Sequence, residues 1–203
     1  ISSDKIYCIY TPIDSQKKLY LQTKENIILS VTQFNNPLKT QGSIDAVKNL
    51  SSWLKANPHY RYIIVGAGKN IEKIKKWKRG NHDLPNIIFA GYVKNIEDWY
   101  LKAKIFIHIS YSDGFPAVVL EALSHGLPVI ANNDVGMKEQ IVHNHNGFLI
   151  DNGELYAISK YLNTLLKDEK KYAKISANCT DYVSKNYNLD IISERIHNAL
   201  KFN

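Results

Sequence analysis

The sequence predicts an α/β fold with a doubly wound, parallel, Rossmann-like sheet. Short apolar runs rich in β-branched residues alternate with segments of helical periodicity, which is the pattern of successive strand–helix units. A length of 203 residues with 44% hydrophobic and 22% charged side chains suits one domain with a substantial core. We therefore expect residues 1–203 to form a single domain.

Composition narrows the classes of function. The formal net charge is +7, but the lysines are scattered and no basic-aromatic motif accompanies them, so we expect no nucleic-acid partner. No apolar run approaches the roughly 20 residues of a transmembrane helix. Cys8 and Cys179 lie far apart without metal-type spacing, which indicates free thiols in a reducing, cytoplasmic compartment. The chain opens at Ile1 with neither an initiator Met nor a signal-peptide core, so we expect a fragment of a longer protein.

The candidate strands are apolar runs that end at turn-forming residues. A Thr-Pro pair follows the first run, and Gly66-Ala67-Gly68 follows the third, where two glycines allow a tight turn and close approach of a ligand. That glycine pair also fits an ordinary strand-to-helix turn. In chain order the candidates cover residues 6–10, 26–31, 60–65, 86–93, 105–109, 128–131 and 146–150.

The candidate helices carry apolar residues at three- or four-residue spacing. Ile44, Ala46 and Leu50 mark the first one, beyond a polar loop at 33–39. The lysines of the second suit a solvated face better than contact with anionic lipid, because an ordinary apolar stripe faces the sheet. The helices begin near Lys39 and then cover residues 70–79, 96–103, 117–125, 138–142, 154–167, 169–185 and 189–201.

The loop at 112–116 joins a buried strand to an apolar helix and is the main candidate site. Pro116 suits the first helical position, which places Phe115 at the cap. Phe cannot accept the first-turn amides, so they need another acceptor at the positive end of the helix. A bound anion such as a phosphate is one acceptor, and a side chain of Ser112 or Asp113 folding back is the other.

Glu121 is a carboxylate within the otherwise apolar run 117–123. A buried carboxylate needs a partner, since even a neutral polar group buried alone costs roughly 2–7 kcal/mol. Helical side chains lean toward the N-terminus, so Glu121 can point to the same mouth as the first-turn amides and bind a ligand hydroxyl, such as that of a ribose. Pairing with His125, one turn along, is the equally open alternative.

Asp113-x7-Glu121, continued by Ala122-Leu123-Ser124-His125-Gly126-Leu127-Pro128-Val129-Ile130-Ala131, resembles the E-x7-E signature of retaining GT-B glycosyltransferases (glycosyltransferase family 4, glycosyl transferases group 1). The family pattern is E-G-F-x5-E-A-x3-G-x-P-V-I-A, with Asp113 here in place of the first Glu. Weaker likenesses cover most of the chain. They lie at 10–14 (Y-N-P-V-D), 39–41 (K-G-Q), 65–68 (V-G-x-G), 86–93 (N-V-x-F-x-G-x-V) and 135–137 (V-G-G, with Met137 for the second Gly).

The resemblance implies that the chain is one half of a GT-B fold, the C-terminal donor-binding domain, with the N-terminal acceptor domain absent. The implied reaction is hexosyl transfer from a nucleotide-diphosphate sugar to a glycan or lipid-linked acceptor with retention of configuration, in polysaccharide or glycoconjugate biosynthesis. It further implies a cytoplasmic protein, peripheral membrane association of the full-length protein, and little activity of the isolated domain. The last helix would then carry an apolar patch that the other domain covers.

The resemblance also implies roles for individual residues. Glu121 would hold the ribose and Asp113 the donor sugar. The leaving phosphate would meet Lys39 and the tip residues Gly114, Phe115, Pro116, Ala117, Val118 and Val119. Gly66 would approach the donor, and Val93, Lys94 and Ile96 the nucleobase. The family's loop Arg is missing, with Gln33, Asn35 and Asn36 where it would fall. No cofactor and no metal are expected, since the chain carries no D-x-D motif.

Two other functions fit the same sequence. The missing Arg and the Asp113 substitution favour a nucleotide-sugar-binding domain without catalytic activity, because losing one partner of a charged contact costs about 1.5–3 kcal/mol. A nucleotide-sugar epimerase shares the GT-B architecture and is the other. For Lys39 the alternative is plain solvation, which from sequence alone is the commoner fate of a loop lysine.

Overall fold

The computed structural model describes residues 9–13, 24–80 and 84–201. One sheet of six parallel strands runs in the order β3-β2-β1-β4-β5-β6. The strands are β1 Ile27–Val31, β2 Arg61–Val65, β3 Ile87–Gly91, β4 Ile105–His108, β5 Val129–Asn132 and β6 Gly147–Ile150. The predicted doubly wound α/β fold is confirmed.

Helices connect successive strands and cover the sheet. They are α1 Pro37–Ala56, α2 Ile71–Arg79, α3 Glu97–Lys102, α4 Ala117–Ser124, α5 Val135–Gln140, α6 Ile158–Leu166, α7 Glu169–Asn186 and α8 Leu189–Lys201, with a 3-10 helix Asn152–Ala157 before α6. Within these described residues, no helix is both long and apolar enough to cross a membrane.

The central strands are buried along nearly their whole length because helices pack on both faces of a parallel sheet. All four residues of β4 and of β5 are buried, and so are the first four of β1. On α8 only Ile192 is buried, whereas Leu189, Ile196 and Leu200 are exposed. The apolar patch expected on the last helix is therefore present.

The strand order reverses between β1 and β4, and this reversal places the site. β1 pairs with β2 on one side and with β4 on the other, so the loops after β1 and β4 leave the sheet in opposite directions. Helix α1 packs against the backbone that follows β4, because Gly42 carries no side chain. A Cβ on Gly42 would lie 2.1 Å from the carbonyl oxygen of Ile109.

Several predicted boundaries are wrong. Residues 9–10 are not in a strand, and the rest of the first candidate strand, 6–8, lies outside the described residues together with Cys8 and Asp14. Helix α1 begins at Pro37, so Lys39 lies in a first helical turn rather than in a loop. Helix α5 begins at Val135, within the predicted loop.

Candidate functional site

A cleft of about 700 Å³ opens at the carboxyl ends of β1 to β4, where the strand order reverses. This is the usual place for ligands in an open α/β sheet. Twelve of the fourteen predicted site residues line it: Gln33, Lys39, Gly66, Val93, Lys94, Ile96, Asp113, Phe115, Pro116, Ala117, Val118 and Glu121. The other two, Gly114 and Val119, do not. Val119 is fully buried, and its amide donates to the carbonyl oxygen of Pro116 at 3.1 Å.

The N-terminus of α4 has no side-chain cap. Pro116, one position later than predicted, is the cap residue in extended conformation, and it makes no side-chain hydrogen bond. Ser112 does not replace it, because its Oγ accepts from Nδ2 of Asn36 at 3.0 Å. The Asp113 carboxylate is also engaged elsewhere. The positive end of α4 therefore faces the cleft, an arrangement that favours an anion.

Asp113 lies between two basic side chains. Lys39 Nζ contacts its Oδ1, and His108 Nε2 lies 3.0 Å from its Oδ2. The Asp113 side chain is only 8% exposed. Burial alone would raise the pKa of Asp113, but hydrogen bonds from His108, Lys39 and Ser110 outweigh it and hold the pKa well below its usual range. Asp113 is therefore an anion in the folded protein.

The loop after β4 is held by a buried amide on the neighbouring strand. Asn132, the last residue of β5, accepts from the amide of Ser110 at 2.9 Å and donates to its carbonyl oxygen at 2.8 Å. Both residues are fully buried. The two bonds continue the β4–β5 pairing past the end of the strand, and they fix Ser110 where its hydroxyl reaches Asp113.

Glu121 pairs with Tyr100, and not with His125. The Tyr100 hydroxyl donates to Oε2 of Glu121 at 2.8 Å. His125 instead uses Nδ1 to bond the backbone carbonyl of Glu121, at 2.7 Å. Burial first, and then the charge and hydrogen bond of Glu121, raise the pKa of Tyr100 far above its usual range, so the hydroxyl stays protonated and donates. The carboxylate of Glu121 lines the cleft beside the α4 tip.

The loops after β1 and β2 touch through backbone atoms. Gly66 has φ +148°, and a Cβ there would lie 1.8 Å from the carbonyl oxygen of Thr32. Only glycine fits this position. Of the residues where the family's Arg would fall, Gln33 and Asn35 line the cleft, whereas the Asn36 side chain caps α1 by accepting from the amide of Leu38.

A second layer of residues supports the tip of α4 from behind. A Cβ on Gly136 would lie 2.1 Å from the carbonyl oxygen of Gly114. Gln140 Nε2 donates to the carbonyl oxygen of Pro116 at 3.1 Å. On the other side, the rings of Phe115 and Tyr10 stack at a centroid distance of 4.4 Å.

Sequence reasoning missed several residues of this site. His108 lies in a predicted apolar strand and Tyr100 in a predicted helix. Neither residue forms a recognisable motif with its carboxylate partner. Tyr92, directly after β3, is 80% exposed on the rim of the cleft beside Val93 and Lys94. Its signal was available, because it is a large aromatic residue at the carboxyl end of a predicted strand.

Acidic, His and Cys side chains do not assemble into a metal centre in residues 9–13, 24–80 and 84–201: no three of them are grouped so that they could hold an ion. That the protein works without a metal stays a prediction.

Comparisons with known proteins agree with this architecture. The sequence profile of the family described as "Glycosyl transferases group 1" matches residues 13–181. Among curated relatives, the poly(glycerol-phosphate) alpha-glucosyltransferase of Bacillus subtilis (strain 168) is 32% identical over 134 residues, which are 66% of this chain and 20% of the relative. The chain spans between 20% and 56% of the length of three such relatives.

Two solved structures share the fold. A variant of S. aureus TarM in complex with fondaparinux, α-GlcNAc-glycerol and UDP superimposes with a TM-score of 0.84 at 18% identity, over 95% of this chain and 39% of TarM. The C-terminal domain of the glycosyl transferase group 1 family protein LpcC from Francisella tularensis gives a TM-score of 0.67 at 26% identity, over 82% of this chain and 88% of that domain. With the profile match over residues 13–181, these findings show that the chain belongs to the glycosyl transferases group 1 family and has the Rossmann-like architecture of a GT-B domain.

Proposed function

We propose that this chain is the C-terminal, donor-binding domain of a retaining hexosyltransferase that uses a nucleotide-diphosphate sugar. The observation that carries the proposal is the uncapped tip of α4, which opens with Glu121 into one cleft at the reversal of strand order. A diphosphate suits the tip, and a ribose hydroxyl suits the carboxylate one turn deeper.

The roles follow from the donors and acceptors in the cleft. Tyr100 holds Oε2 of Glu121, so Oε1 can accept from a ribose hydroxyl. Around the tip, Phe115, Ala117 and Val118 present the end of the helix dipole to the leaving diphosphate. Fixed dipoles aimed at charge that grows in the transition state are often the largest catalytic contribution. Asp113, although it accepts from three protein donors, keeps a lone pair for a donor-sugar hydroxyl.

The comparisons support the domain assignment. The chain covers 88% of a solved C-terminal domain but only 39% of TarM. TarM was solved with UDP, which favours a nucleoside diphosphate as the ligand of the cleft.

A relative that forms an alpha linkage supports retention, because transfer from an alpha-linked nucleotide sugar to an alpha-linked product keeps the configuration. The acceptor, a glycan or a lipid-linked glycan, would bind an N-terminal domain outside this chain, and membrane association would belong to that full-length protein.

A nucleotide-sugar-binding domain without catalytic activity is the second candidate. Two observations favour it: the loop Arg of the family is replaced by polar, uncharged residues, and Lys39 is already engaged by Asp113. Transfer by the full-length protein, with the configuration of the product determined by NMR, separates the two functions.

The ligand class is tested by thermal unfolding of the chain with UDP, GDP and ADP. One of the three should raise the melting temperature, since a ligand at a hundred times its Kd stabilises by about 2.7 kcal/mol. Glu121→Ala should reduce the shift, and Glu154→Ala, an exposed carboxylate outside the cleft, should leave it unchanged. No shift with any of the three nucleotides would contradict the proposal.

A further inference from the structure

Three polar side chains from three parts of the fold contact one another in the cleft. Lys39 comes from the first turn of α1, His108 from the end of β4, and Asp113 from the loop before α4. Their contacts span the reversal of strand order, with Lys39 on Oδ1 of Asp113 and His108 on Oδ2. Each carboxylate oxygen thus has a basic partner.

The two partners of Asp113 differ in their freedom to move. The short side chain of His108 is only 4% exposed. His108 is also the last residue of β4, a fully buried strand. Lys39 is 26% exposed, and four flexible carbons carry its ammonium group. An arriving ligand can therefore attract Lys39 away from Asp113, whereas His108 stays in place.

The direction of the His108 contact follows from chemistry. An ionised carboxylate only accepts hydrogen bonds, so Nε2 of His108 must carry the proton that it shares with Oδ2. His108 is thus a fixed donor to Asp113 whether or not Lys39 is present.

The charges that line the cleft give a reason for such a donor. Among the described lining residues, Lys39 and Lys94 are balanced by Asp113 and Glu121. A nucleoside diphosphate adds negative charge beside these four side chains, and Lys39 is the lysine already bound to a carboxylate. When Lys39 turns to the diphosphate, Asp113 loses a partner while buried, which is strongly unfavourable unless other donors remain.

We propose that His108 is a positioning residue of the donor site, an inference that rests on the proposed function. His108 holds the Asp113 carboxylate in place while the Lys39 ammonium group moves from Asp113 to the diphosphate of the bound donor. When the cleft is occupied, Asp113 still accepts hydrogen bonds from His108 and Ser110. In this scheme the shorter Asp, where the family pattern has Glu, serves the lysine as well as the sugar.

The test measures UDP affinity by calorimetry for the chain and its variants. His108→Leu removes the donor, so Asp113 competes harder for Lys39 and UDP affinity falls about tenfold or more, as expected for a hydrogen bond to a charged group. His108→Gln, which keeps an N–H near the position of Nε2, restores part of it. His143→Leu, an exposed histidine outside the cleft, leaves affinity unchanged.

The same His108 variants in an Asp113→Asn background give the decisive comparison. Without the carboxylate, Lys39 is free to contact UDP, so Asp113→Asn binds UDP more tightly than the unaltered chain. Adding His108→Leu to Asp113→Asn then changes the UDP affinity by less than about twofold. A residue needed only for packing would lower affinity equally in both backgrounds, which would overturn the inference. His108→Met takes the place of His108→Leu if the latter does not fold.

The outcomes for the two proposals are distinct. If the unaltered chain binds none of UDP, GDP and ADP, the proposed function fails. If UDP binds but His108→Leu leaves its affinity unchanged, only the role of His108 fails.

Discussion

Two glycines near the tip of α4 differ in what surrounds them. A Cβ on Gly136 would lie 2.1 Å from the carbonyl oxygen of Gly114 and 2.8 Å from the amide nitrogen of Phe115. A Cβ on Gly114 would meet no atom within 4 Å. The packing of the site thus requires glycine at position 136, whereas position 114 has room for a side chain.

Alanine at the two positions should separate these effects. Gly136→Ala should destabilise the protein by about 1–3 kcal/mol, because the added methyl group pushes backbone atoms apart. Gly114→Ala serves as the control, and its free energy of unfolding in urea should stay within about 0.5 kcal/mol of the unaltered chain. Equal losses of stability would show that the loop at 112–116 does not rest on α5 as the structure has it.

Residues with a local signal were predictable, and residues defined by a distant partner were not. Asp113 and Glu121 stand out because carboxylates are unusual beside a buried strand and inside an apolar helix. His108 and Tyr100 supply their hydrogen bonds. His108 is the one polar residue of the run 105–109, but nothing in that run or in 97–102 indicates which carboxylate each residue contacts. Their role depends on how α3 and β4 pack, which periodicity does not reveal.

At the scale of elements, Asn36 joins the two loops that frame the cleft. Its Oδ1 accepts from the amide of Leu38 and caps α1, while its Nδ2 donates to Oγ of Ser112. The Asn-Pro pair at 36–37 is a typical start signal for a helix, whereas the apolar spacing alone predicted a start near Lys39. A helix that begins at this pair includes Lys39 in its first turn.

The two bonds of Asn36 can be separated by substitution. Asn36→Ala loses both and should lower the free energy of unfolding by about 1 kcal/mol, a typical value for a lost cap. Asn36→Asp keeps the acceptor and loses only the donor to Ser112, so it should retain most of the stability in urea unfolding. If Asn36→Asp is as unstable as Asn36→Ala, the bond to Ser112 and not the cap stabilises this region.

At the scale of the whole molecule, alternating strands and helices predicted the sheet, and the rule for ligand position in such sheets predicted the cleft. Boundaries were less accurate where tertiary contacts override local signals. Residues 9–10 look like a strand end, but Tyr10 packs on Phe115 and Tyr187 instead of pairing with the sheet. The amide of Ile13 likewise donates to the carbonyl of Tyr187, so this segment is held by side-chain stacking and by the residue that follows α7.

The stability of the whole domain should depend on pH through Asp113. Its pKa is lowered in the folded protein, mainly through His108 and Lys39 acting against burial, and is about 3.9 in an unfolded chain. Above that value Asp113 is ionised in both states, so its contacts contribute fully to stability. As the pH falls below roughly 4, the unfolded state takes up the proton first, and the contribution declines.

Asp113→Asn removes this dependence and provides the comparison. The difference in free energy of unfolding between the chain and Asp113→Asn, from urea unfolding at several pH values, should be constant from about pH 7 to 5 and shrink toward pH 3. Other carboxylates titrate in both proteins and largely cancel. A difference that stays level or grows as the pH falls would mean that Asp113 is not held as an anion between Lys39 and His108, and would remove the basis for the exchange of Lys39 onto the donor diphosphate.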